Sequence, residues 1–466
     1  MSVINDFYAK ESIFFHIIEG QLRQRVDLFI DFIDFADDNL SRDESVTAII
    51  ETDAGKFGQC VTKVELTREM PLPLIFWAPV VYPNIIDGTH KPIDAQIKIT
   101  VDDNVTEKSF ELGARRPWTV YALTDDCADF TWGYSGEETI KNSTDFIGAQ
   151  LRWIEQTKDY PHEIQNRYNI NQVMEAEWFR KSLPQNYFDL LIQAIKSGHM
   201  QLSPAYNSSN TAMLHTEQLV RTLYCGRKYE SEYGIDISVA QEIESPVCTW
   251  GLASIFAGAG IKYLIRNWLN YYSPYCKDRD QPPLYKWVGP DGNGIIVLSD
   301  TDSCMKYGYK GARAFIKETY EKAVEELHGW WIPNFEKNAK YSYSALPMTG
   351  AYWDLNPSTA SEVEIFVNQL RQYNNENWEY PKIINATWNQ YFSHIEKQTA
   401  EHGLIIPEYR GDFGSAWEEW PAGLAHILSS MRCGINEYLA VETFSAIMRD
   451  IPSQPLPQKF QLPNIH

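Results

Sequence analysis

The stretch from Trp118 to Tyr134 constrains the fold of this chain more than any other. It begins with WTVYAL, a run of β-branched and aromatic residues that is typical of a buried strand in a parallel sheet. Three carboxylates and a thiol follow the run: Asp125, Asp126, Asp129 and Cys127. Catalytic and metal-binding groups collect at the C-terminal ends of strands in α/β barrels and doubly wound sheets. The alternative interpretation is a solvated acidic turn in front of a helix.

Charge and composition exclude several classes of partner. A formal net charge of −21 argues against binding to nucleic acid or to an anionic membrane surface. No stretch approaches the roughly 18 apolar residues of a membrane span. The N-terminus carries acids where a secretory signal needs a basic start and an apolar core. The seven cysteines are scattered and odd in number, which is typical of reduced thiols, so we expect a cytoplasmic protein.

Aromatic residues are abundant, with 15 Trp, 27 Tyr and 21 Phe. Flat rings stack on the apolar faces of pyranoses, so this composition favours a carbohydrate as the small-molecule partner. An aromatic-rich core is the alternative.

The pattern along the chain predicts an α/β protein in several parts. Residues 1–115 are strand-like, with turns between aromatic and β-branched runs, and predict an N-terminal β-sandwich. From 116 to 350 short apolar runs alternate with helical stretches, which is the pattern of a parallel sheet or barrel. Residues 351–450 predict a helical bundle with helices over 358–372, 388–401 and 417–449. The Pro-rich residues 451–466 predict an extended tail.

Acidic residues recur where predicted strands end. We interpret 171–179 as a strand that carries Glu175, and 235–244 as a strand that ends in acids. The run 345–354 predicts a strand that ends in Tyr352, Trp353 and Asp354. Because the C-terminal ends of barrel strands meet at one mouth, we expect these carboxylates to converge there.

The order of several motifs resembles the family-38 glycoside hydrolases, which are α-mannosidase-like enzymes. The resemblance extends over about 118–449 and rests on these segments: RRPWTVY, QEIESP, WGLASIFAGAGIKYL, GPDG, TGAYWDLNP and RGDFGSAWEEW. It implies a seven-stranded (β/α) barrel of the glycoside hydrolase and deacetylase type, followed by a three-helix bundle. It also implies a retaining mechanism, with zinc holding adjacent hydroxyls of the sugar.

The resemblance also implies metal ligands. The first strand of the family normally ends in His-x-Asp, and here the matching residues are Cys127 and Asp129. A Cys thiolate can ligate zinc, although a neutral buried Cys is the alternative. For the family's later His ligand, the candidates are Asp412 in RGDFG and His426.

Two carboxylates are the candidate catalytic groups. The family's nucleophile is an Asp directly before a Pro, but Ser245 precedes Pro246 here, so Glu244 is the candidate and Glu242 its rival. Asp354 is the candidate acid, because desolvation by neighbouring aromatic rings raises a carboxyl pKa. A helix cap is the alternative role for Asp354.

Candidate substrate-binding residues are the acids and aromatic residues that lie beside these groups: Asp126, Glu175, Trp132, Trp250, Tyr352, Trp353 and Trp417. An ion pair is the alternative for Glu175, and a place in the core is the alternative for each aromatic residue.

Three hypotheses of function follow. The first is a retaining, metal-assisted glycosidase that acts on an α-mannoside-like or related glycoside. The second is a catalytically degenerate carbohydrate-binding protein on the same barrel, because the family's His is missing from the first strand. The third and weaker hypothesis is a metal-dependent deacetylase or another hydrolase on a similar barrel.

Overall fold

The computed structural model describes residues 3–33, 42–52, 55–66, 74–79, 93–101, 104–126, 130, 133–208, 211–243, 248–267, 282–299, 311–352, 358–413 and 423–449.

The N-terminal part is formed by antiparallel strands. They are β1 (Val3–Ile18), β2 (Gln21–Ile33), β3 (Arg42–Thr52), β4 (Gly55–Leu66), β5 (Leu74–Pro79), β6 (Ile93–Val101) and β7 (Asn104–Leu112). One sheet has the order β1-β2-β5 and the other the order β4-β3-β6-β7. Phe7 and Leu28 of the first sheet share a hydrophobic cluster with Ile50 and Ile97 of the second. The predicted strand character is therefore confirmed for the described residues before 115.

Strand β1 connects these sheets to the rest of the molecule. Its first half contributes Phe7 to the N-terminal cluster, whereas Ile13 belongs to the large cluster that follows in the chain. The Phe15 N–H donates to the Tyr380 carbonyl at 2.8 Å. The centroids of the Phe14 and Trp378 rings lie 4.4 Å apart. The two parts are thus joined by both backbone and side-chain contacts.

Short strands alternate with helices in the remainder of the chain. The strands are β8 (Thr119–Asp125), β9 (Tyr168–Ile170), β10 (Met200–Leu202), β11 (Val239–Ile243), β12 (Tyr263–Asn267), β13 (Leu284–Val288), β14 (Gly294–Ser299), β15 (Ala345–Ala351), β16 (Lys382–Asn385) and β17 (Glu408–Tyr409). The helices are α1 (Gly136–Thr157), α2 (Val173–Ser182), α3 (Gln185–Lys196), α4 (Thr216–Arg221), α5 (Tyr224–Tyr233), α6 (Gly251–Gly258), α7 (Ala312–Lys317), α8 (Tyr320–Glu326), α9 (Ile332–Lys337), α10 (Ala360–Asn374), α11 (Trp388–His402) and α12 (Ala425–Arg449).

These strands form three sheets. Strand β8 lies between β15 and β16 and is parallel to both, while β9 and β10 form a parallel pair. The third sheet has the order β11-β12-β14-β13-β17, in which only β13 and β14 pair antiparallel. The hairpin predicted at Asp291–Gly294 joins β13 to β14. The fold is a mixed α/β fold, as the sequence predicts.

Polar side chains connect the three sheets at the C-terminal ends of their strands. The Asn169 Nδ2 atom on β9 donates to the carbonyl of Thr124 on β8 at 2.9 Å. The Trp388 indole N–H, just after β16, donates to Gln241 Oε1 on β11 at 3.2 Å. The Gln241 backbone N–H donates to Ser203 Oγ, next to β10, at 3.1 Å. Strands from all three sheets therefore approach one another at this edge.

Local sequence explains where the first helix begins. Ser135 Oγ accepts from the Glu138 N–H at 3.2 Å, and Glu138 Oε2 accepts from the Ser135 N–H at 2.9 Å. This reciprocal capping satisfies two backbone donors and fixes the start of α1 after the acidic segment. The helix covers the predicted span, Gly136–Thr157.

Two predicted assignments are wrong. Residues 171–179 were predicted as a strand, but α2 begins at Val173, because Met, Glu and Ala favour a helix and β9 ends at Ile170. Residues 351–450 are not helical throughout, since β16 lies within them and pairs with β8. The three helices predicted in that range are found as α10, α11 and α12.

Helix α12 differs from the others in its exposure. Of its 25 residues only Ser445 is buried. No helix in the described part of the chain has the length and apolar character needed to cross a membrane. The predicted tail, 451–466, lies outside the described residues.

Asn169→Ala should destabilise the protein by about 3 kcal/mol, because buried donors and acceptors on three elements lose their partner. Asn169 is fully buried, and its Oδ1 also accepts from the Trp388 N–H at 3.0 Å. Urea denaturation measures the change. The control is Asn368→Ala on the exposed face of α10, for which we expect a change within about 0.5 kcal/mol. Equal stability of the two variants would contradict the linking role of Asn169.

Candidate active site

The end of β8 is enclosed by its neighbours. Asp126 directly follows the strand and is only 1% exposed. Its carbonyl accepts a hydrogen bond from Asn171 Nδ2, which comes just after β9. The Asp125 carbonyl accepts from the Tyr352 N–H, just after β15, at 2.8 Å. The chain therefore leaves β8 at a fixed point between two neighbouring strand ends.

A buried carboxyl pair lies at this point. Glu175, in the first turn of α2, is fully buried and its carboxyl group contacts that of Asp126. Ser143 on α1 donates to Glu175 Oε2 at 3.3 Å, and the hydroxyl of Tyr168 contacts Asp126. Helices α1 and α2 and strand β9 thus surround the pair.

Burial and mutual repulsion change how the pair titrates. Burial, followed by the charge of Asp126, raises the pKa of Glu175 well above its ordinary value. Burial also raises the pKa of Asp126, although hydrogen bonds from Glu175 and Tyr168 oppose that rise. Two carboxylates in contact away from water cannot both ionise at little cost. The pKa of Glu175 is thus raised by both its burial and its contact with Asp126.

The burial of Glu175 favours a supporting role over contact with substrate. Among the described residues no basic side chain forms an ion pair with Glu175, so the pair predicted as its alternative role is not found there. An ion pair is formed by Glu177, whose carboxylate lies 2.9 Å from Arg180 and 3.6 Å from Lys181. The sequence could not assign different roles to Glu175 and Glu177 as long as 171–179 was interpreted as a strand.

Tyr352 lies in the aromatic core. Its side chain is fully buried, and its ring centroid is 5.2 Å from that of Phe146, 6.2 Å from Tyr168 and 5.8 Å from Phe366. Burial raises the pKa of Tyr352 well above its ordinary value. This position favours the packing alternative over contact with substrate.

The end of β11 carries a second group of polar residues. Glu242 is 3% exposed and is paired in register with Arg266 on β12. The Arg266 guanidinium lies 4.3 Å from the centroid of the Phe413 ring. Cys248 is near both charged residues, and burial raises the pKa of its thiol to about 11. Glu242 is thus buried on the strand next to Arg266, whose guanidinium packs on Phe413.

Trp250 and Asp412 hold the start of α6. The backbone N–H of Trp250 donates to Asp412 Oδ1 at 2.5 Å. The Trp250 indole N–H donates to the Val288 carbonyl at 2.8 Å. Trp250 is partly buried and Asp412 is exposed. Both residues are therefore engaged in local structure.

The family is settled by sequence comparison. The profile of the glycosyl hydrolases family 38 N-terminal domain matches residues 117–413. The chain belongs to this family. No curated protein matches the chain in sequence.

Solved structures of family-38 proteins and of a glucanotransferase resemble part of this chain. An alpha-mannosidase from Enterococcus faecalis V583 is 16% identical, with a TM-score of 0.46 over 63% of this chain and 31% of that one. A family-38 protein from Enterococcus faecalis is 13% identical, with a TM-score of 0.45 over 64% and 29%. A 4-alpha-glucanotransferase from Thermococcus litoralis is 15% identical, with a TM-score of 0.40 over 60% and 40%. The chain thus spans less than a third of the length of the two Enterococcus proteins.

Several predicted site residues lie outside the described residues. They are Cys127, Asp129, Trp132, Glu244, Trp353, Asp354 and Trp417. Their shared cavity and their roles therefore stay predictions.

Of the candidate metal ligands that the resemblance implies, Asp412 and His426 lie among the described residues. No three His, Cys, Asp or Glu residues of that part come together as a metal site. Asp412 accepts a backbone hydrogen bond, and His426 is exposed on α12. The donors that remain for a metal are those predicted from sequence in the segment after β8.

Sequence reasoning missed several residues around the candidate site. Tyr168 and Ser143 contact the carboxyl pair, and Phe130 packs on Trp178. Tyr168 lies on a strand of three residues, which is too short to give a periodic signal. Ser143 looks like an ordinary helix residue. The signal for Phe130 was its place within the acidic segment.

Glu175→Gln should flatten the pH dependence of stability. The folded state keeps a proton on Glu175 where the unfolded state loses it, so stability should fall as pH rises above about 4.5. Glutamine cannot titrate but still donates to Asp126, so the variant should lose less stability than the wild type between about pH 5 and 8. Denaturation at several pH values measures this.

Glu364→Gln, on the exposed face of α10, is the control and should follow the wild-type profile. If the stability of Glu175→Gln depended on pH in the same way as that of the wild type, Glu175 would be ionised in the folded protein.

Proposed function

We propose that this chain is the catalytic part of a glycoside hydrolase that acts on an α-mannoside-like or related pyranoside. The observation that carries the proposal is the parallel pairing of β8 with β15, in which Ala351 is opposite Asp125. Asp129 and Asp354 follow these two residues by four and three positions in the sequence, and in the proposal both acids lie at this edge of the sheet. The match to family 38 supports glycoside hydrolysis as the chemistry.

We further propose that the three α/β sheets form the barrel of the family. The side-chain hydrogen bonds of Asn169, Gln241 and Trp388 join strands that the backbone ladders leave separate. In this proposal residues 1–115 form a β-sandwich. The barrel continues beyond residue 350 because of β16, and α12 belongs to a helical bundle.

Glycoside hydrolysis requires two carboxyl groups beside the scissile bond. In a retaining reaction one carboxylate attacks the anomeric carbon while a protonated carboxyl group gives its proton to the departing oxygen. Water then releases the sugar from the first carboxylate. We assign the attack to Glu244 and the proton donation to Asp354. Glu242, the rival candidate for the nucleophile, is buried beside Arg266, and this burial favours Glu244 for that role.

The remaining predicted groups have supporting roles in the proposal. Asp126, Trp132, Trp250, Trp353 and Trp417 are assigned to the surroundings of the sugar. Zinc, held by Cys127 and Asp129, would orient adjacent sugar hydroxyls. We expect the protein in the cytoplasm, because its seven cysteines are scattered and odd in number, which is typical of reduced thiols.

A second candidate function is carbohydrate binding without hydrolysis. Two departures from the family pattern favour it. The residue directly before Pro246 is Ser245 and not the nucleophilic Asp of the family, and Cys127 stands in place of the metal-binding His. A carboxylate displaced by one methylene, as in Glu244, can cost orders of magnitude in rate.

The wild type should hydrolyse at least one member of a panel of nitrophenyl pyranosides, with retention at the anomeric carbon. Glu244→Gln should lower kcat by at least about a hundredfold, because the amide cannot attack. Glu364→Gln is the matched control and should keep full activity. Cys127→Ser should lower the zinc content of the same preparations, measured by mass spectrometry.

The outcomes separate the two functions. Binding of a pyranoside without turnover would establish the second candidate. Turnover that survives Glu244→Gln would show that another carboxylate is the nucleophile. Unchanged zinc content and activity in Cys127→Ser would make Cys127 a packing residue.

A further inference from the structure

The side chain of Phe130 is unusually exposed for a phenylalanine. Its side chain is 49% exposed, although a phenyl ring has no polar atom that gains from contact with water. In the described part of the chain, Phe444 on α12 is the one other phenylalanine exposed to a comparable degree. Phe130 therefore presents an apolar surface beside the end of β8.

The Phe130 ring rests on a buried support. Its centroid lies 5.4 Å from that of Trp178, and the two ring planes are inclined by 32°. Trp178 is 9% exposed and lies on α2. One surface of the phenyl ring is thus used for packing, while about half of the side chain remains open to solvent.

Helix α2 fixes this support to the candidate active site. Glu175 and Trp178 are three positions apart and therefore lie on the same side of the helix. Glu175 contacts Asp126 at the end of β8, and Trp178 contacts Phe130 four residues later. Asp126 and Phe130 are consequently both in contact with side chains of α2.

A second exposed ring comes from the same region. Tyr206 follows β10, and its carbonyl accepts from the Met174 N–H, in the first turn of α2, at 3.0 Å. The Tyr206 side chain is 39% exposed. Two exposed aromatic residues are thus attached to the helix that also carries Glu175.

The ligand chemistry follows from these surfaces. A flat apolar ring fits the C–H face of a pyranose, which is neutral and apolar on that side. The net charge of −21 disfavours anionic ligands.

We propose that Phe130, supported by Trp178, is a stacking platform for a neutral hexopyranoside at the candidate active site. This inference rests on the proposed function, because it assigns a sugar-binding surface to the same site. It adds a specificity-determining residue that contacts the sugar ring rather than the reacting atoms.

The test measures binding of methyl α-D-mannopyranoside to the full chain by saturation-transfer difference NMR titration. Phe130→Ala and Phe130→Leu should weaken binding about tenfold, and Phe130→Tyr should stay within about twofold of the wild type. Leucine keeps an apolar contact with Trp178 but removes the flat ring, so it separates stacking from packing. Tyr8→Ala, which removes a 56% exposed ring from the N-terminal sheets, is the control and should bind normally.

Wild-type affinity in both the Ala and the Leu variants would overturn the platform and leave the proposed function standing. A wild type that binds neither this glycoside nor any pyranoside of the nitrophenyl panel would overturn both. Loss of binding in the Leu variant with retention in the Tyr variant is the result that the platform requires.

Discussion

The α/β part of this protein depends on buried polar side chains that link strands across separate sheets. Asn169 bonds to backbone groups of β8 and of the segment that leads into α11, and Trp388 reaches from that segment to Gln241 on β11. All three side chains are buried. In such an environment an unmade hydrogen bond costs its full desolvation energy, so these bonds restrict how the strand ends can be arranged relative to one another.

The same constraint explains the carboxyl pair. Once β8, β9 and α2 are fixed relative to one another, Asp126 and Glu175 come into contact where water is absent. Sharing a proton is the arrangement with the lowest electrostatic cost. The pair connects Asp126 to α2, and Phe130 contacts Trp178 on the same helix. The buried polar groups thus fix the point at which the chain leaves β8.

Much of the fold could be predicted from the sequence, because it rests on local patterns. The apolar run of β8, the span of α1 and the DGNG hairpin each carry a strong local signal. The order of the motifs also identified family 38. Strand β2 was missed although its apolar and charged residues alternate, and β16 was missed because four residues give no periodicity. Glu175 was placed on a strand, since its contact with Asp126 depends on a helix that only tertiary packing fixes.

Hydrogen–deuterium exchange with and without methyl α-D-mannopyranoside tests most directly whether these strand ends form one site. The account predicts that the sugar slows exchange together in peptides that cover the ends of β8, β11 and β15, which are far apart in sequence. Protection confined to one of these segments, or to the N-terminal sheets, would contradict it.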